Sequence, residues 1–179
     1  MPSPLRHPEH SRPHFQFNTW AGTYVAATPI TDGGDNATIL LDYETEVQPD
    51  VFIRLEGADA QSAVNEEGYI TGAPELIIEI AASSVAYDLH VKKRAYARHH
   101  VREYIAVQIY DQRIDWFILR EGGYETVQSG EDGILRSEVF PGLWLDPKAF
   151  WAGDLAGMLA VLQGGLASPE HRTFLESLK

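Results

Sequence analysis

The chain has 179 residues, 44% of them hydrophobic and 11% aromatic, an ordinary make-up for one globular domain. It has no cysteine, which excludes a disulfide framework and any thiolate metal site. No apolar run approaches the roughly 18 residues needed to cross a bilayer. A formal net charge of −12 disfavours broad electrostatic binding to nucleic acid, which depends on Lys and Arg releasing counterions from phosphates.

In chain order, residues 1–14 hold four prolines and no periodicity, and read as a mobile arm. The arm is polar and lacks the apolar core of a secretory signal, so a cytoplasmic protein is expected. From Phe15 to Ala27 the apolar positions suit a helix packed on a core. Turn chemistry follows at residues 28–35 (TPITDGGD), then a strand over 37–43 (ATILLDY) and a second over 51–55 (VFIRL), entered through Pro49-Asp50. Residues 56–73 are mostly polar and read as a loop.

A short apolar run at 76–82 (LIIEIAA) carries one carboxylate, Glu79. The spacing then predicts a helix from Ser84, a candidate cap, to His100. Strands over 103–110 and 113–119, joined at Asp111-Gln112, read as a hairpin. Residues 124–128 and a turn near Phe140 complete the expected sheet, and a helix is predicted over 147–162. The expected organisation is one domain over 15–165 with a tail at 166–179. The element order implies an α/β fold with a mixed central sheet flanked by helices.

Chemistry concentrates around Glu79. A carboxylate inside a buried strand is costly unless it is paired or bound to a metal. Asp50 stands where Pro49 leads into a strand, so if the two strands are neighbours both carboxylates meet at one end of the sheet. Two such groups, with a backbone carbonyl beside Glu79, suit Mg²⁺, which prefers oxygen ligands. Lys92, on the following helix, can supply a cation near the attacking water. The stretch His90 to Arg102 also carries Lys93, Arg94, Arg98 and three histidines, so positive charge is local there. Taken singly, each residue has an ordinary reading: a paired strand carboxylate, a Pro-Asp turn, a solvated helix lysine. Histidines 7, 10, 14, 99 and 100 show no recognised metal-ligand spacing.

Pro49-Asp50, Gly72-Ala73-Pro74-Glu75-Leu76-Ile77-Ile78-Glu79-Ile80, then Ser83, Asp88, Lys92 and Tyr96, then Val101-Arg102-Glu103-Tyr104, together resemble the Uma2 family. That family, also called DUF820 or putative restriction endonuclease, has a signature running approximately PD, GAPDLVVEVLSPST, D-x3-K-x3-Y and GVPEYW. The likeness covers about residues 37–145 and keeps the D-x3-K-x3-Y spacing at Asp88, Lys92 and Tyr96. It implies a PD-(D/E)XK, restriction-endonuclease-like fold and a metal-dependent endodeoxyribonuclease using Mg²⁺ or Mn²⁺ on DNA. Asp50, Glu79 and the Ile80 carbonyl would hold the metal, with Asp88 and Tyr96 supporting them. The usual lysine two positions after the acid is Ala81 here, and its role would pass to Lys92. The chain departs from the pattern in lacking the Tyr-Glu-Leu-Ile-Asp-Gly-like segment near the N-terminus, and in carrying His100 and Arg102 where a small residue and a proline are usual. A catalytically inactive nuclease-fold module for binding or assembly is the alternative. Double-strand cleavage by one-site subunits would call for a homodimer.

Overall fold

The computed structural model describes residues 7–57, 60–81 and 86–178, without the side chains of residues 8, 9 and 86–89. A single turn at His7–Ser11 leads into α1 (Arg12–Ala27). Then come β1 (Thr31–Gly34), β2 (Ile39–Leu40), β3 (Glu46–Val47), β4 (Val51–Leu55), β5 (Ser62–Val64), β6 (Ile70–Gly72) and β7 (Leu76–Ala81). Helix α2 (Ala86–Arg98) precedes β8 (Glu103–Gln108), β9 (Arg113–Arg120), β10 (Gly123–Thr126), β11 (Leu135–Arg136) and β12 (Trp144–Leu145). The chain closes with α3 (Pro147–Ala152), α4 (Leu155–Leu166) and α5 (Pro169–Ser177).

The main sheet has the order β1-β4-β7-β8-β9-β10. Only β7 and β8 run parallel within it, joined through α2, as a parallel pair requires a crossover. A smaller sheet, β3-β2-β6-β5, lies beside it, and β11 pairs with β12. The expected mixed α/β architecture is therefore the one observed.

Two cores sandwich the main sheet. Helix α1 places Phe17, Trp20, Ala21 and Tyr24 on one stripe, and these pack with Val51, Ile53, Leu76, Ile78, Ile105, Val107 and Trp116. The opposite face carries Phe52, Ile77, Tyr104 and Ala106 against Ile39, Ile70 and Tyr96. Strand β7 is buried on both faces, which explains its unbroken apolar run.

Several expectations shift in detail. Helix α1 runs through the boundary drawn at residue 14, because Pro13 is well placed in a first turn where no intrahelical N–H bond is needed. The strand expected over 37–43 is only Ile39–Leu40. The loop expected over 56–73 contains β5 and β6, a short pair in which β5 buries Ser62 and exposes Ala63 and Val64, so hydrophobicity does not mark its inward position. The helix expected over 147–162 breaks at Gly153, whose φ of 71° ends α3, and Asp154 caps α4. The supposed tail contains α5, whose His171 is buried and accepts or donates at Thr28 Oγ1, 3.0 Å away. The proposed cap Ser84 lies outside the described residues.

Candidate metal and phosphodiester site

Strand pairing decides where the carboxylates go. In the β4–β7 register Val51 faces Ile78, so Asp50 comes level with Glu79 at the end of the sheet. Glu79 lies on the face covered by α2, and α2 turns Lys92 and Tyr96 toward it, four residues apart on one side of the helix. Lys92 Nζ donates to Glu79 Oε2 at 2.8 Å, and Tyr96 OH donates to Glu79 Oε1 at 2.5 Å. Lys92 keeps about a third of its side chain in solvent at 34%, whereas the Glu79 side chain is 6% exposed. The pair thus bridges the interior and the surface.

Asp50 is held differently. Its Oδ2 accepts the Ile80 N–H at 2.6 Å, while Oδ1 faces His14 Nδ1 at 3.9 Å. The carbonyl of Ala81 accepts the Ile109 N–H and so points toward β8. Successive residues of a strand alternate sides, so the Ile80 carbonyl opens with its own N–H toward Asp50. Two carboxylates and one carbonyl therefore share a sheet edge. This hard-oxygen set suits a divalent cation, and each Glu79 oxygen retains a second lone pair beyond its present bond. Among the described residues, no three His, Asp or Glu side chains stand together as a cage, and both Glu79 oxygens are turned toward Lys92 and Tyr96.

Burial raises the Glu79 carboxyl above the usual range, against the opposing pull of Lys92 and Tyr96, and Asp50 adds a smaller push in the same direction as burial. Burial likewise raises the Tyr96 hydroxyl, aided by the Glu79 charge, so Tyr96 is a firm donor rather than a base. The His14 imidazole is shifted down, chiefly by burial, with Asp50 opposing. Lys93 is shifted down by burial as well, and its ammonium sits 3.4 Å from the centroid of the Phe117 ring.

Next to Glu79, on the same sheet face, is a groove of about 360 Å³ lined by His90, Lys93, Gln108, Arg113, Asp115 and Phe117 among others. Register carries the row Glu79–Ala106–Asp115 straight across β7, β8 and β9. Asp115 accepts from Gln108 Nε2 at 2.9 Å and from Arg113 Nε at 2.8 Å, so the groove holds two cations, Lys93 and Arg113, against one carboxylate.

The structure thus brings Asp50, Glu79, Ile80, Lys92 and Tyr96 together, while the Asp88 side chain lies outside the described residues. Sequence reasoning missed the groove, and it set His14 aside as part of a mobile arm without metal-ligand spacing. The signal for His14 was present: it continues the stripe Phe17, Ala21, Tyr24 one turn toward the N-terminus, behind a proline suited to a helix start.

Comparison with known proteins bears on the family and the fold. A family model described as "Uma2: Putative restriction endonuclease" matches residues 1–148. The fold resembles that of a crystal structure of "a putative nuclease belonging to DUF820" from Anabaena variabilis ATCC 29413. That likeness has a TM-score of 0.64 at 13% identity and covers 86% of each chain. No curated protein matches the chain. No helix among the described residues is long and apolar enough to cross a membrane. With most of its length matched by the family model, the chain belongs to the Uma2 family of nuclease-like proteins.

Proposed function

We propose that the protein is a divalent-metal-dependent endonuclease that hydrolyses phosphodiester bonds of DNA. Asp50, Glu79 and the Ile80 carbonyl hold the ion, and Lys92 serves the attacking water and the scissile phosphate. The observation carrying this reading is the convergence on one sheet edge of Asp50 and Glu79, with Lys92 reaching Glu79 at 2.8 Å. Bound Mg²⁺ or Mn²⁺ would supply Lewis-acid polarisation of the phosphate and a more acidic water.

The chain's own groups do the rest. Lys92 stands at the mouth of the site with its charge fixed by Glu79, positioned to orient water and to offset charge on the phosphate. Tyr96 holds the other Glu79 oxygen and so fixes the carboxylate plane. Lys93 and Arg113, against the single carboxylate of Asp115, give the neighbouring groove a net positive charge, which lets an acidic protein accept a polyanion there.

The competing reading is an inactive nuclease-fold module for binding or assembly. It draws on the fact that both Glu79 oxygens are already engaged by donors. Titration calorimetry with MnCl₂ on wild type and Glu79→Ala separates the two. Binding by wild type that disappears in the variant supports the metal site; a folded wild type that takes up no Mn²⁺ overturns it in favour of the inactive module. Lys92→Met is then expected to retain Mn²⁺ and lose plasmid cleavage by about 100-fold or more.

A further inference from the structure

Asp50 has a neighbour on the other side of the sheet edge. His14, in the first turn of α1, puts Nδ1 3.9 Å from Asp50 Oδ1. Its ring stacks on His10 with centroids 4.3 Å apart and planes 8° from parallel, which restricts rotation of the imidazole. The His14 side chain is only 13% exposed, and its buried Nε2 has no hydrogen-bond partner. A ring this enclosed is normally tied down through both nitrogens, as His171 is by Thr28 and the Leu166 carbonyl. His14 is instead aimed at a single carboxylate, at a distance too long for a hydrogen bond.

That distance suits a shared cation. Ligands about 2.1 Å from one ion lie roughly 3.0 Å apart when adjacent and about 4.2 Å apart when opposite. The separation of 3.9 Å falls inside that span. The rest of Asp50 is arranged to match, with Oδ2 occupied by the Ile80 N–H and Oδ1 left toward His14. Helix α1 covers one face of the sheet and α2 the other, so His14 reaches Asp50 from one face while Glu79 lies on the other.

We propose that His14 is a third side-chain ligand of the divalent-metal site formed by Asp50 and Glu79, and that its imidazole makes the site select Mn²⁺ over Mg²⁺. The proposal rests on the metal-site reading above. Its chemistry is that of ligand type: an all-oxygen shell suits Mg²⁺, whereas an imidazole donor favours a transition metal.

The test compares wild type, Glu79→Ala, His14→Ala and His14→Gln by calorimetry with MnCl₂ and MgCl₂, alongside pulsed electron paramagnetic resonance of the wild-type Mn²⁺ complex. Wild type is expected to bind Mn²⁺ at least about 10-fold more tightly than Mg²⁺, and both His14 variants to lose about that factor for Mn²⁺ with little change for Mg²⁺. The wild-type spectrum is expected to show ¹⁴N coupling that His14→Gln abolishes. Unchanged Mn²⁺ affinity in a folded His14→Gln, or no ¹⁴N coupling in wild type, overturns the assignment of His14. If Glu79→Ala loses Mn²⁺ while the His14 variants keep it, His14 alone is wrong and the metal site stands. If wild type binds no Mn²⁺, both fall. Should the His14 variants fail to fold, the wild-type spectrum decides the question without them.

Discussion

Glu79 and Glu103 sit on adjacent parallel strands, both buried and both with carboxyls raised chiefly by burial. Their surroundings differ in kind. Glu103 accepts from Ser137 Oγ at 2.7 Å, Trp116 Nε1 at 3.2 Å, and the backbone N–H groups of Glu138 and Val139 at 2.8 and 3.1 Å. All of these donors are neutral, and they come from β9 and the segment after β11, so this carboxylate ties distant parts of the chain together. Glu79 instead takes its bonds from a lysine about a third exposed and from a tyrosine on the same helix, next to a second carboxylate. A carboxylate saturated by fixed neutral donors serves the fold. One balanced by a movable cation beside another acid can be redirected toward a ligand.

The contrast breaks if the two sites respond alike to truncation. Glu103→Ala leaves four donors without their acceptor, and a loss on the order of 3 kcal/mol or more in denaturant-measured stability is expected. Its Mn²⁺ affinity, if the variant is folded, should match wild type. Glu79→Gln should cost only about 1–2 kcal/mol, since Lys92 reaches solvent, while removing Mn²⁺ binding.

The pH dependence of stability sharpens the same point. A carboxyl whose folded pKa is raised keeps its proton to higher pH in the folded chain than in the unfolded one. Stability from that group is therefore lost as pH rises from the ordinary glutamate value through the folded value. Glu103→Gln cannot ionise, so its deficit relative to wild type should shrink as pH rises across that window. Denaturant titrations of both proteins over a pH series would show it; a deficit that widens would mean the fixed donors outweigh burial.

Smaller effects are expected at the supporting positions. Tyr96→Phe frees Glu79 Oε1, at a cost of about 1 kcal/mol in stability and roughly 10-fold in Mn²⁺ affinity. The equivalent loss of one donor at Glu103, Ser137→Ala, should leave Mn²⁺ affinity untouched. His100, in the bend between α2 and β8, has φ 63°, a left-handed conformation that a side chain disfavours. His100→Gly should raise the melting temperature, by about 0.5–1 kcal/mol in stability terms.

Much of this molecule was legible from its residues. The stripe Phe17, Trp20, Tyr24 suited a helix, the apolar run LIIEIA suited a buried strand, and the carboxylate inside that run required a partner. The spacing of Lys92 and Tyr96 was enough to put them on one helix face, since that periodicity is local. Registers, helix ends and close approaches were another matter. Whether Asp50 stands level with Glu79 depends on how β4 pairs with β7, which no local pattern encodes. Helix α1 could be read, but its crossing over the sheet edge, and with it the place of His14, comes from packing between residues far apart in the chain. Glu79, inside an apolar run, stands out as a letter, whereas Glu103, at the start of its strand, does not. The sequence by itself determined that such acids must be compensated, because an uncompensated buried charge is too costly. Only the tertiary structure decided which compensation is permanent and which can be exchanged, because that depends on whether the donors are fixed by the rest of the fold.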